Sequence, residues 1–194
     1  MRKFFIVLAL CFQALFSFSQ TNAPFVKEGR ISGGIGIANP DKNATSIGNS
    51  LWIQLSYKFI EKVSIATEFE SMRYKQPGYL QNTRIDPNEI KIYDNNFSLL
   101  FKYHVVSGKR INLMAASGWT FTTRQNDYYI SEYSSTGTSF YRNVSSSSDY
   151  RIPFLGELEY SIFKNINIQA RLKYNFNSQN GSTYSTGVGA SLQL

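Results

Sequence analysis

The sequence predicts an all-β fold, an eight-stranded antiparallel up-and-down barrel. Three observations carry that prediction. Apolar and polar residues alternate with period two along most of the chain, the pattern of strands with two different faces. The connections between these segments alternate in length, as when tight turns line one rim of a barrel and long loops the other. The apolar positions are banded, with rings towards both ends of the segments and aliphatic or small residues between.

The elements follow in order. Residues 30–38 form the first strand, in which Gly33, Gly34 and Gly36 relieve crowding inside a narrow barrel. They lack the strand–loop–helix setting of a phosphate loop. In 50–59, Leu51, Ile53, Leu55, Tyr57 and Phe59 share a face opposite Gln54, Ser56 and Lys58. Strand 63–74 sets Ile65 and Phe69 against Glu68 and Glu70. Strand 92–105 sets Phe97, Leu99, Phe101 and Tyr103 against Lys102 and His104. Strand 110–124 carries Leu113, Ala115, Trp119 and Phe121 on its apolar face, and 150–162 opposes Phe154, Leu158 and Tyr160 to Glu157 and Glu159. In 166–176 every even position is apolar and every odd one polar, Arg171 and Lys173 included. In 184–194, Tyr184, Thr186, Val188, Ala190, Leu192 and Leu194 share the final face. Most of these segments reach the roughly 9–11 residues a tilted strand needs to cross a bilayer.

The long connections are 39–49, 75–91, 125–149 and, shorter, 177–183; the tight ones are 60–62, 106–109 and 163–165. Both ends of the barrel chain then lie at the short-turn rim.

The leading segment stands apart. Arg2 and Lys3 precede an apolar run that extends to Phe16, and Ser17-Phe18-Ser19 supplies small residues where a signal peptidase cuts. This reads as a secretory signal peptide cleaved after Ser19. The run is too short for the roughly 20 residues of a membrane helix. Leu10 stands where a lipoprotein signal requires a small residue before Cys11. Loss of Arg2 and Lys3 lowers the formal charge from +7 to +5 and removes the one cysteine with the same segment. A disulfide framework and cysteine-based zinc sites are excluded. Charged residues are 17% of the chain against 42% hydrophobic, which excludes a disordered chain or coiled coil. No basic cluster interleaved with aromatics suggests nucleic acid. For an exported basic chain, anionic lipid or lipopolysaccharide is the expected partner.

Alternation does not say which face is outside. Two bands of aromatic residues favour a membrane barrel: Tyr57, Phe59, Phe101, Tyr103 and Tyr160 towards the short turns, and Phe69, Phe97, Trp119, Phe121, Phe154, Tyr174, Phe176 and Tyr184 towards the long loops. Aromatic rings collect at the two interfaces of a bilayer. The polar face carries both charge signs at mid-strand, and these are expected to form a structural ion-pair network in the lumen: Lys58, Glu68, Glu70, Lys102, Glu157, Glu159, Arg171 and Lys173. Counting from the turns puts Glu68 near Lys102, and Glu157 and Glu159 near Arg171. Opposite charges so paired are tolerable in a bore that eight strands leave just wide enough for side chains.

Catalytic chemistry is sparse. His104 is the lone histidine and falls on the lumen face near the short turns, the wrong end for acyl chemistry on outer-leaflet lipid. It reads as a hydrogen-bonded lumen residue, and no metal site is expected from it. Glu68/Glu70 and Glu157/Glu159 read as ion-pair partners rather than a glycosidase carboxylate pair. Residues 125–149 are read as a long loop holding Tyr128, Tyr129, Tyr133, Phe140 and Tyr141 among many serines, a mixture common in binding loops. Arg73 is expected to face lipid at the long-loop rim, within reach of lipopolysaccharide phosphate.

The architecture and the terminal strand Tyr184-Ser-Thr-Gly187-Val-Gly189-Ala-Ser-Leu192-Gln-Leu194 resemble the small eight-stranded outer-membrane β-barrels of Gram-negative bacteria, the outer-membrane protein A/X-like group. That resemblance implies an integral outer-membrane barrel with a side-chain-filled polar lumen, inserted by the barrel-assembly machinery. Residues 1–19 would be its signal peptide, 20–29 a short periplasmic segment and 30–194 the barrel. The expected role is structural or adhesive, without catalysis or cofactor, the loops meeting extracellular glycan or protein. Two alternatives stay open: a narrow pore or small-molecule conduit, and a soluble secreted or periplasmic lipocalin-like ligand-binding barrel.

Overall fold

A computed structural model describes residues 28–40, 47–76, 90–134, 137–177 and 181–194. The signal-peptide reading, and parts of all four long connections, lie outside the described residues. Eight strands are present: β1 (Glu28–Pro40), β2 (Gly48–Ile60), β3 (Val63–Gln76), β4 (Ile90–Ser107), β5 (Ile111–Ser134), β6 (Gly137–Ser161), β7 (Ile166–Phe176) and β8 (Thr183–Gln193). They close into one ring in chain order, every neighbour antiparallel, with β8 returning beside β1.

The period-two pattern becomes an inside and an outside. Along β7, exposed and buried residues alternate without a break. The buried set is polar: Gln54, Glu68, Glu70, Asp94, Asn96, Lys102, Gln169 and Lys173 all lie inside. The exposed set is apolar, with Ile35 65% and Val188 59% exposed. A water-soluble barrel would have these the other way round, because apolar surface is driven from water and ionised groups are held in it. The outward set, aromatic at both ends, instead matches a hydrocarbon surround. The soluble ligand-binding alternative is therefore set aside.

A few apolar side chains do sit within the bore. Ala38, Met72, Tyr74 and Ile92 cluster near the long-loop end, and Ala66, Leu100 and Leu155 form a second group. Trp52 lies inside against the β1–β8 seam. A Cβ added at Gly34 or Gly189 would stand 2.9 Å or 2.7 Å from the Trp52 ring. Glycine at these two positions is what lets the indole lie flat against the wall. Gly33 alternates with them and points outward, so the crowding argument applies to Gly34 and Gly36 but not to it.

One element departs from expectation. Residues 125–149 are not a loop: they prolong β5 and β6 into a hairpin paired from Gln125↔Ser146 to Ser134↔Gly137. Gly137 takes a left-handed backbone (φ 142°) at its turn, a conformation glycine adopts without steric cost. The tyrosines, threonines and Val144 of this stretch favour extended chain. The alternation is missing because both faces of the ribbon meet the same solvent, so neither is selected to be apolar.

Candidate functional site

The lumen is organised as three tiers of charge. At the short-turn end, Arg30 of β1 pairs with Glu28 at 2.6 Å and with Glu159 of β6. Ser191 Oγ donates to Glu159 at 3.2 Å. Slightly deeper, Lys102 of β4 pairs with Glu157 and donates to Gln54 Oε1 at 2.8 Å. The Gln54 amide in turn donates to Glu68 at 3.0 Å. His104 shares a 3.0 Å hydrogen bond with Ser64 Oγ.

The middle tier holds Glu68 and Glu70 of β3 against Arg171 and Lys173 of β7. Arg171 grips Glu68 with two nitrogens, at 2.8 Å and 3.1 Å, and Lys173 reaches the same carboxylate at 2.7 Å. Lys173 also pairs with Glu70 at 3.1 Å, and Ser185 Oγ donates to Glu70 at 2.6 Å. The Arg171 guanidinium stacks 4.5 Å from the Trp52 ring centre, a favourable placement of a cation over an electron-rich face. All four charged groups are buried. Four such groups away from water are stable together only because each ion is matched and hydrogen-bonded.

The third tier, at the long-loop end, centres on Asp94 of β4. Arg124 of β5 donates to it through two nitrogens at 2.8 Å, and Tyr74 through its hydroxyl at 2.9 Å. Arg151 approaches Asp94 at 3.4 Å, pairs with Asp149 at 3.0 Å and donates to Thr183 at 3.1 Å.

The eight residues expected in the lumen all lie on the inward face, but not in the expected pairs. Lys58 makes no ion pair among the described residues. Glu68 does not meet Lys102, whose register partner on β3 is Ser64. Arg171 stands in register with Glu157 yet reaches across the bore to Glu68. The bore is narrow and these side chains are long, so an opposite wall is as reachable as the next strand. Arg30, Gln54, Tyr74, Asp94, Arg124, Asp149 and Arg151 were not anticipated. Each has the parity of a lumen position on its strand, which is the signal that would have found them.

The bore is closed. A vestibule of about 520 Å³ opens at the short-turn end. Below it, between Ser56, Ser64, Lys102 and Met114, the space shrinks to about 10 Å³, room for one water. Beyond that, Lys173, Glu70 and Asn96 have no exposed surface. This does not fit the pore alternative.

Outside the ring, the β5–β6 hairpin runs past its neighbours. The last β4–β5 pair is Lys91↔Asp127 and the last β6–β7 pair is Ile152↔Phe176. Tyr128 accepts a 2.9 Å hydrogen bond from Asn143, while Tyr129 and Tyr141 are exposed. The backbones of Tyr133 and Phe140 lie within the ribbon; their side chains are outside the described residues. Arg142 holds Asp127 through two 2.8 Å hydrogen bonds, and these keep the Asp127 carboxyl below the usual carboxylate range. Arg73 faces outward at the long-loop rim, 5.8 Å from the Tyr93 ring centre.

No protein-family model and no curated protein matches the chain. Solved structures do. Ail, the attachment invasion locus protein of Yersinia pestis, in complex with the heparin analogue sucrose octasulfate, is 14% identical with a TM-score of 0.56, covering 87% of this chain and 99% of its own. The N-terminal β-barrel domain of Pseudomonas aeruginosa OprF is 13% identical with a TM-score of 0.54, covering 88% and 100%. Neisserial surface protein A is 16% identical with a TM-score of 0.50, covering 86% and 96%. Likeness at this level of identity speaks to architecture, and with the polar bore and apolar exterior it shows that the chain has the fold of the small eight-stranded outer-membrane β-barrels.

Proposed function

We propose that the chain is an integral outer-membrane barrel whose β5–β6 hairpin is a surface-binding, adhesive element. The observation that carries this reading is the ribbon itself, which continues well beyond the strands that flank it. Tyr128, Tyr129, Tyr133, Phe140 and Tyr141 are its proposed contact residues, because tyrosine offers contact area at low entropic cost and the adjacent serines offer adaptable hydrogen bonds. Residues 1–19 act as the export signal, and the barrel-assembly machinery inserts the mature chain. The short turns then face the periplasm and the hairpin the outside. Arg73, at the outer rim, pairs with lipopolysaccharide phosphate.

The reading is non-catalytic. The Ser64–His104 hydrogen bond is the one arrangement that looks like a nucleophile and its base. Among the described residues no carboxylate orients the other ring nitrogen, as an activated serine requires.

A sulfated glycan is the first ligand class to try, since a barrel of this fold has been crystallised with a heparin analogue. The test replaces residues 125–146 by Asn-Gly, which closes Arg124↔Ser147 with a turn suited to a hairpin. The shortened barrel should still migrate differently in SDS gels before and after boiling, and should lose adhesion to heparin-coated and host-cell surfaces. Unchanged adhesion by a folded, shortened barrel would sink the proposal.

A further inference from the structure

The short-turn end of the barrel carries charge that the lumen network does not use. Lys58 at the end of β2, Lys109 and Arg110 in the β4–β5 turn, and Lys164 in the β6–β7 turn all line the 520 Å³ vestibule. None of the four makes an ion pair among the described residues. The one carboxylate in the lining, Glu28, is already held by Arg30 at 2.6 Å. Three separate parts of the chain thus aim cations into one recess, and no anion of the protein answers them.

We propose that this vestibule is an anion site that takes a phosphate group. Like charges set around a low-dielectric recess concentrate its positive potential and draw in an anion. The volume lies within the range of about 300–1,000 Å³ typical of small-ligand sites. A phosphate presents more acceptor oxygens than a carboxylate. The mix here suits it: the planar fork of Arg110 for two of them, and lysine ammonium groups as point charges for the rest. The floor is sealed by Lys102, paired with Glu157, and by the Ser64–His104 hydrogen bond, so a ligand rests at the mouth and does not pass through. Phe163, 66% exposed, and Ile162 stand at the lip and offer an apolar edge beside the charges. The phosphate has two possible sources, the headgroup of a phospholipid in the adjoining leaflet or a soluble phosphate compound. The site rests on the vestibule alone and is independent of the adhesive role given to the hairpin.

His104 is the only histidine in the chain and lines the vestibule, so its ring C–H resonances are an unambiguous reporter. The chain is refolded into phosphatidylcholine nanodiscs and titrated with inorganic pyrophosphate. In a second arm it is refolded into nanodiscs containing phosphatidylglycerol, without pyrophosphate. The expected result is a saturable shift of the His104 signals with one probe or both. Pyrophosphate alone identifies a soluble ligand, phosphatidylglycerol alone a headgroup. The pair K58Q/R110Q should weaken the response about ten-fold or more, since two charge contacts near 1 kcal/mol each are lost. K91Q, at the other end of the barrel, should leave it unchanged. If K58Q/R110Q does not fold, as judged by the heat-dependent gel shift, K109Q/K164Q takes its place. No His104 response to either probe, or an equal response in the vestibule variants, overturns the proposal.

Discussion

Glu68 and Arg171 are 103 residues apart in sequence and meet across the bore through two hydrogen bonds, of 2.8 Å and 3.1 Å. They come from strands that are not neighbours in the ring, β3 and β7. The contact therefore braces opposite walls of the cylinder, which the ladder bonds between adjacent strands do not do.

Removing one side of this brace leaves buried charge unanswered. Glu68→Gln should destabilise the barrel by about 3–5 kcal/mol, the usual cost of orphaning a buried partner. Glu68→Gln combined with Lys173→Met should recover a good part of that loss, because the double change also removes one of the two cations. Urea unfolding in lipid vesicles, arranged as a double-mutant cycle, measures both. An equal or greater loss in the double variant would count against the network as drawn.

The two tryptophans report on the two faces. Trp119 is 44% exposed on the outer wall and Trp52 2% exposed in the bore. In bilayers with brominated acyl chains, W52F, which keeps Trp119, should be strongly quenched, and W119F, which keeps Trp52, only weakly. The opposite order would turn the sheet inside out.

Conductance provides another check. With the bore narrowed to about 10 Å³ beneath the vestibule, the folded chain should show no sustained single-channel current in a planar bilayer. Steady openings would mean that the tiers of charge rearrange.

Acid should loosen the hairpin before the ring of strands fails. Asp127 has its pKa lowered by the hydrogen bonds from Arg142, so its contribution is fully present above the unfolded carboxylate value of about 3.9 and is lost as the pH falls through the lower, folded value. Amide exchange at Asp127–Val144 and its neighbouring pairs, corrected for the intrinsic pH effect, should rise in that acid window. Asp127→Asn should be loosened already at neutral pH and lose that pH dependence.

Much of this was legible in the sequence, for a definable reason. Wherever one face of a strand meets hydrocarbon and the other the polar lumen, the selection on the two faces differs and the alternation is plain. Strand 166–176 was bounded to the residue, and others to within one or two. Where both faces see water, as from Gln125 to Ser146, the contrast vanishes and a strand reads as a loop. Parity likewise placed Glu68, Glu157 and Arg171 in the bore without pairing them. Register gives the neighbour on the next strand, as it does for Glu157 and Arg171. It says nothing of how far a long side chain reaches across to the far wall. Arg30, Asp94 and Arg151 needed the same parity count, carried through to the ends of the strands.

The closed ring has a kinetic consequence. Seven of its seams join strands consecutive in the chain, and each can form as a hairpin with little loop to close; the β1–β8 seam alone joins segments from opposite ends. Its loop-closure entropy falls due in a single late event. That seam is also where Gly34 faces Gly189 beneath Trp52. Side chains added there should slow refolding, whereas disruptions confined to the β5–β6 ribbon should leave the refolding rate nearly untouched.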